Sequence, residues 1–251
     1  MATITERFLA FCRQFPGSED IDALPITTAQ NRNQLKKADF LFENRSIICE
    51  VKTLEQDPTT KLENVMADYG IHPSTLAPGQ HVVEDLFGRL PKGQNLYRRT
   101  VKKITKAIDK GLDSATRQIH DTKRLFDLSN ADGLVVMLNG DIQLLNPIIF
   151  EERLRLALQK TTSGGQPYHS DITYVFYIME ASHVVAPDGA ASALHTYYDN
   201  SPVHDNNNAR RFILQLAQAW ANFNGNTFQT ADGNDQLYDL MRTSKLVVNV
   251  R

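Results

Sequence analysis

A β-strand that is apolar on both faces has no side to turn to water, so it belongs inside a sheet covered by layers above and below. Residues 46–53, SIICEVKT, read this way. Alternation puts Ile48, Glu50 and Lys52 on one face and Ile47, Cys49 and Val51 on the other. The run before it, 38–43, is joined through Asn44-Arg45, and the two form a hairpin. With the turn centred between Asn44 and Arg45, Asp39 stands directly opposite Glu50. Like charges in that position repel, and burying both while ionised is costly. A divalent cation shared by the two carboxylates is the simplest compensation, and hard oxygen ligands suit Mg²⁺ or Mn²⁺. Lys52 emerges on the same face and reaches the same place. The competing reading is an ordinary ion-pair cluster in which Lys52 neutralises Glu50 at a solvated strand end.

The rest of the chain is consistent with a globular protein built around that strand. Of its 251 residues, 41% are hydrophobic and 22% charged, enough to bury a core. No apolar run approaches the roughly 20 residues that span a bilayer. The N-terminal MATITERFLAFCRQF mixes charge into its apolar residues, unlike a signal peptide. Cys12 and Cys49 read as reduced core thiols. The expectation is a cytoplasmic protein with no membrane partner.

Periodicity predicts a helix over 3–15, with Ile4, Phe8, Phe11, Cys12 and Phe15 on one stripe and Pro16-Gly17 at its end. A weak strand is expected over 23–28. Residues 55–94 read as an insertion with one short helix at 60–68. Helical signal fills 95–127, with Gly111 expected to split it into two helices. Asn139-Gly140 predicts a hairpin turn. A helix at 147–160, a strand at 171–179 and a helix at 207–223 follow, the last with Trp220 as core. His169 and His183 are expected in loops flanking that strand. This ordering predicts an α/β fold with a mixed sheet flanked by helices. It forms a single domain: a core over about 1–54 and 95–145, the insertion, and a C-terminal α/β extension over 146–251.

Charge is unevenly spread. The whole chain carries −2, yet residues 89–124 hold eleven basic residues against Asp109, Asp113 and Asp121. Arg98, Lys102, Lys106 and Lys110 recur every four residues, with Arg99 and Lys103 beside them, opposite the apolar Val101, Ile104 and Ile108. Such a face suits a phosphate backbone and predicts salt-dependent binding; a merely solvated helix face is the alternative.

Asp39, ten intervening residues and then Glu50-Val51-Lys52 together resemble the D-x(n)-(D/E)-x-K signature of the PD-(D/E)XK nuclease superfamily. The resemblance covers the first 145 residues or so, leaves the C-terminal hundred unexplained, and shows Ala38 where the signature has proline. It implies a restriction endonuclease-like core: a helix, a sheet whose middle hairpin carries the motif, a second helix and a further strand at 133–139. It also implies a metal-dependent nuclease in which Asp39, Glu50 and the Val51 backbone carbonyl bind Mg²⁺ or Mn²⁺. Glu6 on the first helix is a weaker fourth ligand. Lys52 positions the attacking water. Some relatives carry Gln with Tyr four residues later on the second helix; here Gln118 is followed by Thr122, an incomplete match. The expected partner is nucleic acid, DNA first, with a homo-oligomer left open. A non-catalytic nucleic-acid-binding module of the same fold is the alternative function.

Overall fold

A computed structural model describes residues 2–25, 35–185, 191–200, 207–228 and 247–250. Helix α1 (Ile4–Gln14) starts at a Thr3 capping box and buries Ile4, Phe8, Phe11 and Cys12, the predicted stripe. A two-residue strand β1 (Glu19–Asp20) and a 3-10 turn (Ile21–Ala23) follow. The turn occupies the start of the strand expected over 23–28, and residues 26–28 lie outside the described residues.

The hairpin comes next, as β2 (Phe40–Phe42) and β3 (Ile47–Thr53). Phe40 pairs with Cys49 and Leu41 with Ile48, the predicted register. Its turn is strained: Glu43, Asn44 and Arg45 have φ of 50°, 53° and 67°, a left-handed region that costs L-residues roughly 1–2 kcal/mol each. Tertiary ties hold it. The Arg45 guanidinium donates Nη2–H to Glu19 Oε2 at 2.6 Å and lies 5.8 Å from the centre of the Phe126 ring.

Beyond it lie α2 (Thr59–Asp68), β4 (Gly79–Val82) and α3 (Val83–Gly88), then α4 (Gly93–Ile104) and α5 (Lys106–Phe126). The helix break falls at Thr105, not Gly111. The buried Thr105 hydroxyl donates to the Val101 carbonyl at 2.7 Å, and back-bonding of this kind bends helices. Gly111 instead lets α5 approach the sheet: a methyl group there would sit 3.2 Å from Met137 Cε and 3.8 Å from Lys52 Cγ.

Strand β5 (Asp132–Asn139) is a single central strand, parallel to β3, so the hairpin expected at Asn139-Gly140 does not form. The Asn139 side chain is buried and ends the strand by itself. It accepts from the Ile142 N–H at 2.8 Å and donates to the Ile142 carbonyl at 2.9 Å and to Tyr177 Oη at 2.7 Å. Then come α6 (Pro147–Leu158), β6 (Tyr174–Val185), β7 (Ala191–Asp199), α7 (Asn207–Phe223) and β8 (Val247–Val250). His183 lies inside β6 rather than in a loop.

The result is a mixed α/β fold. One six-stranded sheet runs β1-β2-β3-β5-β6-β7, antiparallel at both edges and parallel in the middle, and β4 pairs with β8 separately. The sheet has a helical layer on each face. Helices α1 and α7 pack Phe8 and Trp220 against Phe40, Phe42 and Phe176. On the other face α5, joined by α2, α3, α4 and α6, packs Ile108, Leu112 and Ile119 against Ile48, Val135 and Tyr177. The segment expected as an insertion shares that second core through Leu62, Met66 and Phe87. Strand β6 and helix α7 are likewise integral to the sheet and its cover.

Candidate active site

Alternation along β3 sends Cys49 into the α1–α7 layer and Glu50 towards α5. Asp39 lies just before β2, where the hairpin's hydrogen bonding changes character. Its N–H donates to the Cys49 carbonyl at 3.1 Å, and its carboxylate Oδ2 accepts the Val51 N–H at 2.7 Å, the place of a ladder bond. The N–H and C=O of a strand residue point to the same side. The Val51 carbonyl therefore turns to the edge where β2 has ended and Asp39 stands.

Glu50 is 1% exposed. Its Oε1 accepts the Lys52 ammonium at 2.6 Å, and its buried Oε2 has no hydrogen-bond donor. Burial, then the charge of Asp39, pushes the Glu50 carboxyl up to about 8, against the opposing pull of Lys52. Burial also raises Asp39, while the Val51 N–H and the Lys52 charge hold it down. Burial beside Asp39 thus favours the proton on Glu50, the more strongly raised of the pair.

Helix α5 organises the other side. Gln118 Oε1 accepts the Lys52 ammonium at 2.7 Å and the Ser114 hydroxyl at 2.9 Å. Its Nε2 donates to the Lys37 carbonyl at 2.9 Å, which sets the amide's orientation. One turn on, the buried Thr122 hydroxyl accepts the Ala38 N–H at 2.8 Å. Gln118 and Thr122 clamp the backbone that delivers Asp39. Sequence reasoning missed Ser114 and Thr122; Thr122 occupies the position of the expected tyrosine, and only its i+4 spacing from Gln118 hinted at it.

Glu6, the weaker ligand expected on α1, lies in the first turn of that helix. Its Oε2 accepts the Thr3 N–H at 2.8 Å and closes the α1 capping box, so the weaker metal ligand expected there is occupied as a helix cap. Among the described residues no cluster of three or more His, Cys, Asp or Glu side chains is suited to a metal ion. The oxygens that converge at the hairpin are those of Asp39, Glu50 and the Val51 carbonyl. That set still fits Mg²⁺, which commonly takes one or two carboxylates and completes its shell with water and substrate phosphate. The donor-less Glu50 Oε2 is the atom such an ion would satisfy.

The six basic residues at 98–110 are all exposed, on α4 (Arg98, Arg99, Lys102, Lys103) and the first turns of α5 (Lys106, Lys110). None forms an ion pair within the described residues. Lys110 immediately precedes Gly111, the residue packed on the Lys52 side chain. Cys12 and Cys49 are buried free thiols. No described helix is long and apolar enough to cross a membrane. No family model, curated protein or solved structure matches the chain.

Proposed function

We propose that this protein is a metal-dependent phosphodiester hydrolase, a nuclease of the PD-(D/E)XK type with a restriction endonuclease-like core, acting on nucleic acid and on DNA first. The observation that carries the reading is Glu50: a carboxylate 1% exposed, beside Asp39, with one oxygen on Lys52 and the other without a donor. A carboxylate kept in that condition by packing alone would be a cost without return. The order of helix, hairpin, second helix and parallel strand supports it, as does the unpaired basic face.

Asp39, Glu50 and the Val51 carbonyl would hold Mg²⁺ or Mn²⁺, which when bound neutralises charge at the scissile phosphate and acidifies an attacking water. The chain's own part is positioning. Lys52, held between Glu50 Oε1 and Gln118 Oε1, presents its ammonium with two directions already fixed and the remaining N–H free for a water or phosphate oxygen. Partial burial of that ammonium strengthens its field at an oxyanion. The face from Arg98 to Lys110 holds the flanking phosphates without reading sequence.

The test is cleavage of supercoiled plasmid and of a labelled single strand with Mg²⁺ or Mn²⁺, comparing the protein with Lys52→Ala and Glu50→Ala. Both variants should lose about 10²-fold or more of the metal-dependent rate. Cleavage retained by both would sink the assignment. Salt-sensitive binding without cleavage by any form would favour the non-catalytic nucleic-acid-binding module.

A further inference from the structure

Helix α5 carries a second polar feature, which the carboxylate site does not use. Beside it opens a cleft of about 410 Å³, between the middle of the helix, Lys36 and the loop before β6. That volume lies within the range of small-ligand sites, about 300–1,000 Å³. Lys36, Arg117, His120 and Tyr168 line it.

The cleft is built rather than accidental. His169 is fully buried, and its Nδ1 pairs with Thr116 Oγ1 on α5 at 2.7 Å, which pins the loop to the helix. Tyr168 is fixed at its backbone by an N–H to the Lys160 carbonyl at 2.8 Å. Its ring stands edge-on to His169, at 4.9 Å and 88°. It is nevertheless 48% exposed, a large aromatic held in place with a face open to solvent. The acids of the cleft are already engaged. Asp121 accepts the Lys36 N–H at 3.2 Å, and Asp171 takes Lys123 and His120, each at 3.0 Å. Lys36 and Arg117 have no ion-pair partner among the described residues, so two cations face the cleft against the single carboxylate of Asp121.

Two connections tie the cleft to the carboxylates. Lys36 is followed by Lys37, whose carbonyl holds Gln118, and then by Ala38 and Asp39. On the helix, Lys106, Lys110, Arg117 and Arg124 are all exposed at spacings of four and seven, one continuous basic row from the α4 face past the cleft. A strand lying along that row would run past the cleft that Arg117 and Tyr168 line.

We propose that this cleft receives an unpaired base of the nucleic acid, stacked on Tyr168, with Lys36 and Arg117 on its phosphates. The inference rests on the nuclease reading and narrows its substrate to strands with unpaired nucleotides beside the cut. A flat aromatic next to cations suits a nucleobase of any identity, and a base paired inside a duplex is not free to enter.

The experiment measures binding of a fluorescent twelve-residue oligothymidylate and of a blunt-ended linear DNA duplex, in EDTA, to the protein, Tyr168→Ala, Tyr168→Phe and Arg117→Ala. The ratio of single-strand to duplex affinity should fall about five- to a hundred-fold in Tyr168→Ala and return in Tyr168→Phe. Arg117→Ala should lower the same ratio and flatten the salt dependence of single-strand binding. A Tyr168→Trp variant adds a direct signal: the indole fluorescence it gains should be quenched by unlabelled oligothymidylate and not by the duplex. An unchanged affinity ratio in Tyr168→Ala, together with no quenching by oligothymidylate in Tyr168→Trp, overturns the cleft while leaving the nuclease reading intact. No binding of either DNA by the unaltered protein overturns both.

Discussion

Cys49 and Glu50 are neighbours on one strand, yet they face different chemical surroundings. Cys49 enters a layer of rings, where Phe8 and Phe11 meet Trp220 edge-on at 5.2 and 5.4 Å and Phe42 meets Phe212 at 5.2 Å. Glu50 enters a layer that mixes Ile48 and Leu112 with Lys52, Gln118 and Thr122. The first layer is apolar packing and supports the sheet. The second accepts a carboxylate whose burial is unfavourable, paired with Lys52, which Gln118 of α5 holds in turn. The aromatic layer supplies stability that the polar layer gives up, an arrangement expected where a site needs a perturbed group.

Disrupting the aromatic layer should have the largest effect. Trp220→Ala removes the ring shared by α1 and α7 and should cost about 3–5 kcal/mol in urea unfolding. Any folded fraction should keep metal-dependent cleavage, because the Glu50 side chain faces the opposite layer; a selective loss of cleavage in fully folded protein would contradict the division.

The polar layer should respond with the opposite sign. Glu50 titrates near 8 in the folded chain against an ordinary 4.5. Its stabilising contribution is therefore fully present below pH 4.5 and lost as pH rises through about 8. Glu50→Gln removes that loss. In metal-free protein it should be near neutral at about pH 4 and stabilising by on the order of a few kcal/mol at about pH 8, while abolishing cleavage. Equal unfolding curves at both pH values would show that Glu50 is not held neutral by its surroundings. The same proton must leave before a cation binds, so Mg²⁺ should protect the folded protein more strongly at about pH 8 than at about pH 6.

Two milder substitutions on α5 separate positioning from packing. Gln118→Leu leaves the Lys37 carbonyl and one Lys52 N–H without their partner and should cost about 1 kcal/mol. Its cleavage rate should fall more than its substrate affinity, and a fall in affinity alone would deny it a positioning role. Gly111→Ala should change stability least, by under about 1 kcal/mol. The helix gains from alanine, while Met137 Cε must yield to a contact of 3.2 Å. Thermal unfolding will show which effect is larger.

How much of this was legible beforehand depended on whether a signal was local. The hairpin register was readable because a turn of known centre determines every pairing within a few residues of it. Helix α1 was readable from its stripe and cap, and Trp220 from its apolar neighbours. Asn139-Gly140 misled because the same dipeptide serves a hairpin or, as here, the end of a strand whose partners, β3 and β6, are distant in sequence. Gly111 misled because a helix tolerates glycine where another element packs close, whereas Thr105 broke the helix through a hydroxyl that no periodicity registers.

That an acid pair would face across a buried hairpin, with a lysine on the same side, follows from the order of residues alone, because strand alternation is a property of the backbone. Which atoms meet that pair depends on packing. Gln118 and Thr122 reach it across separations of 66 to 84 residues, and the loop that walls the cleft is pinned where His169 finds Thr116. Contacts of that span arise from how layers stack on a sheet, and their partners carry no mark of one another along the chain.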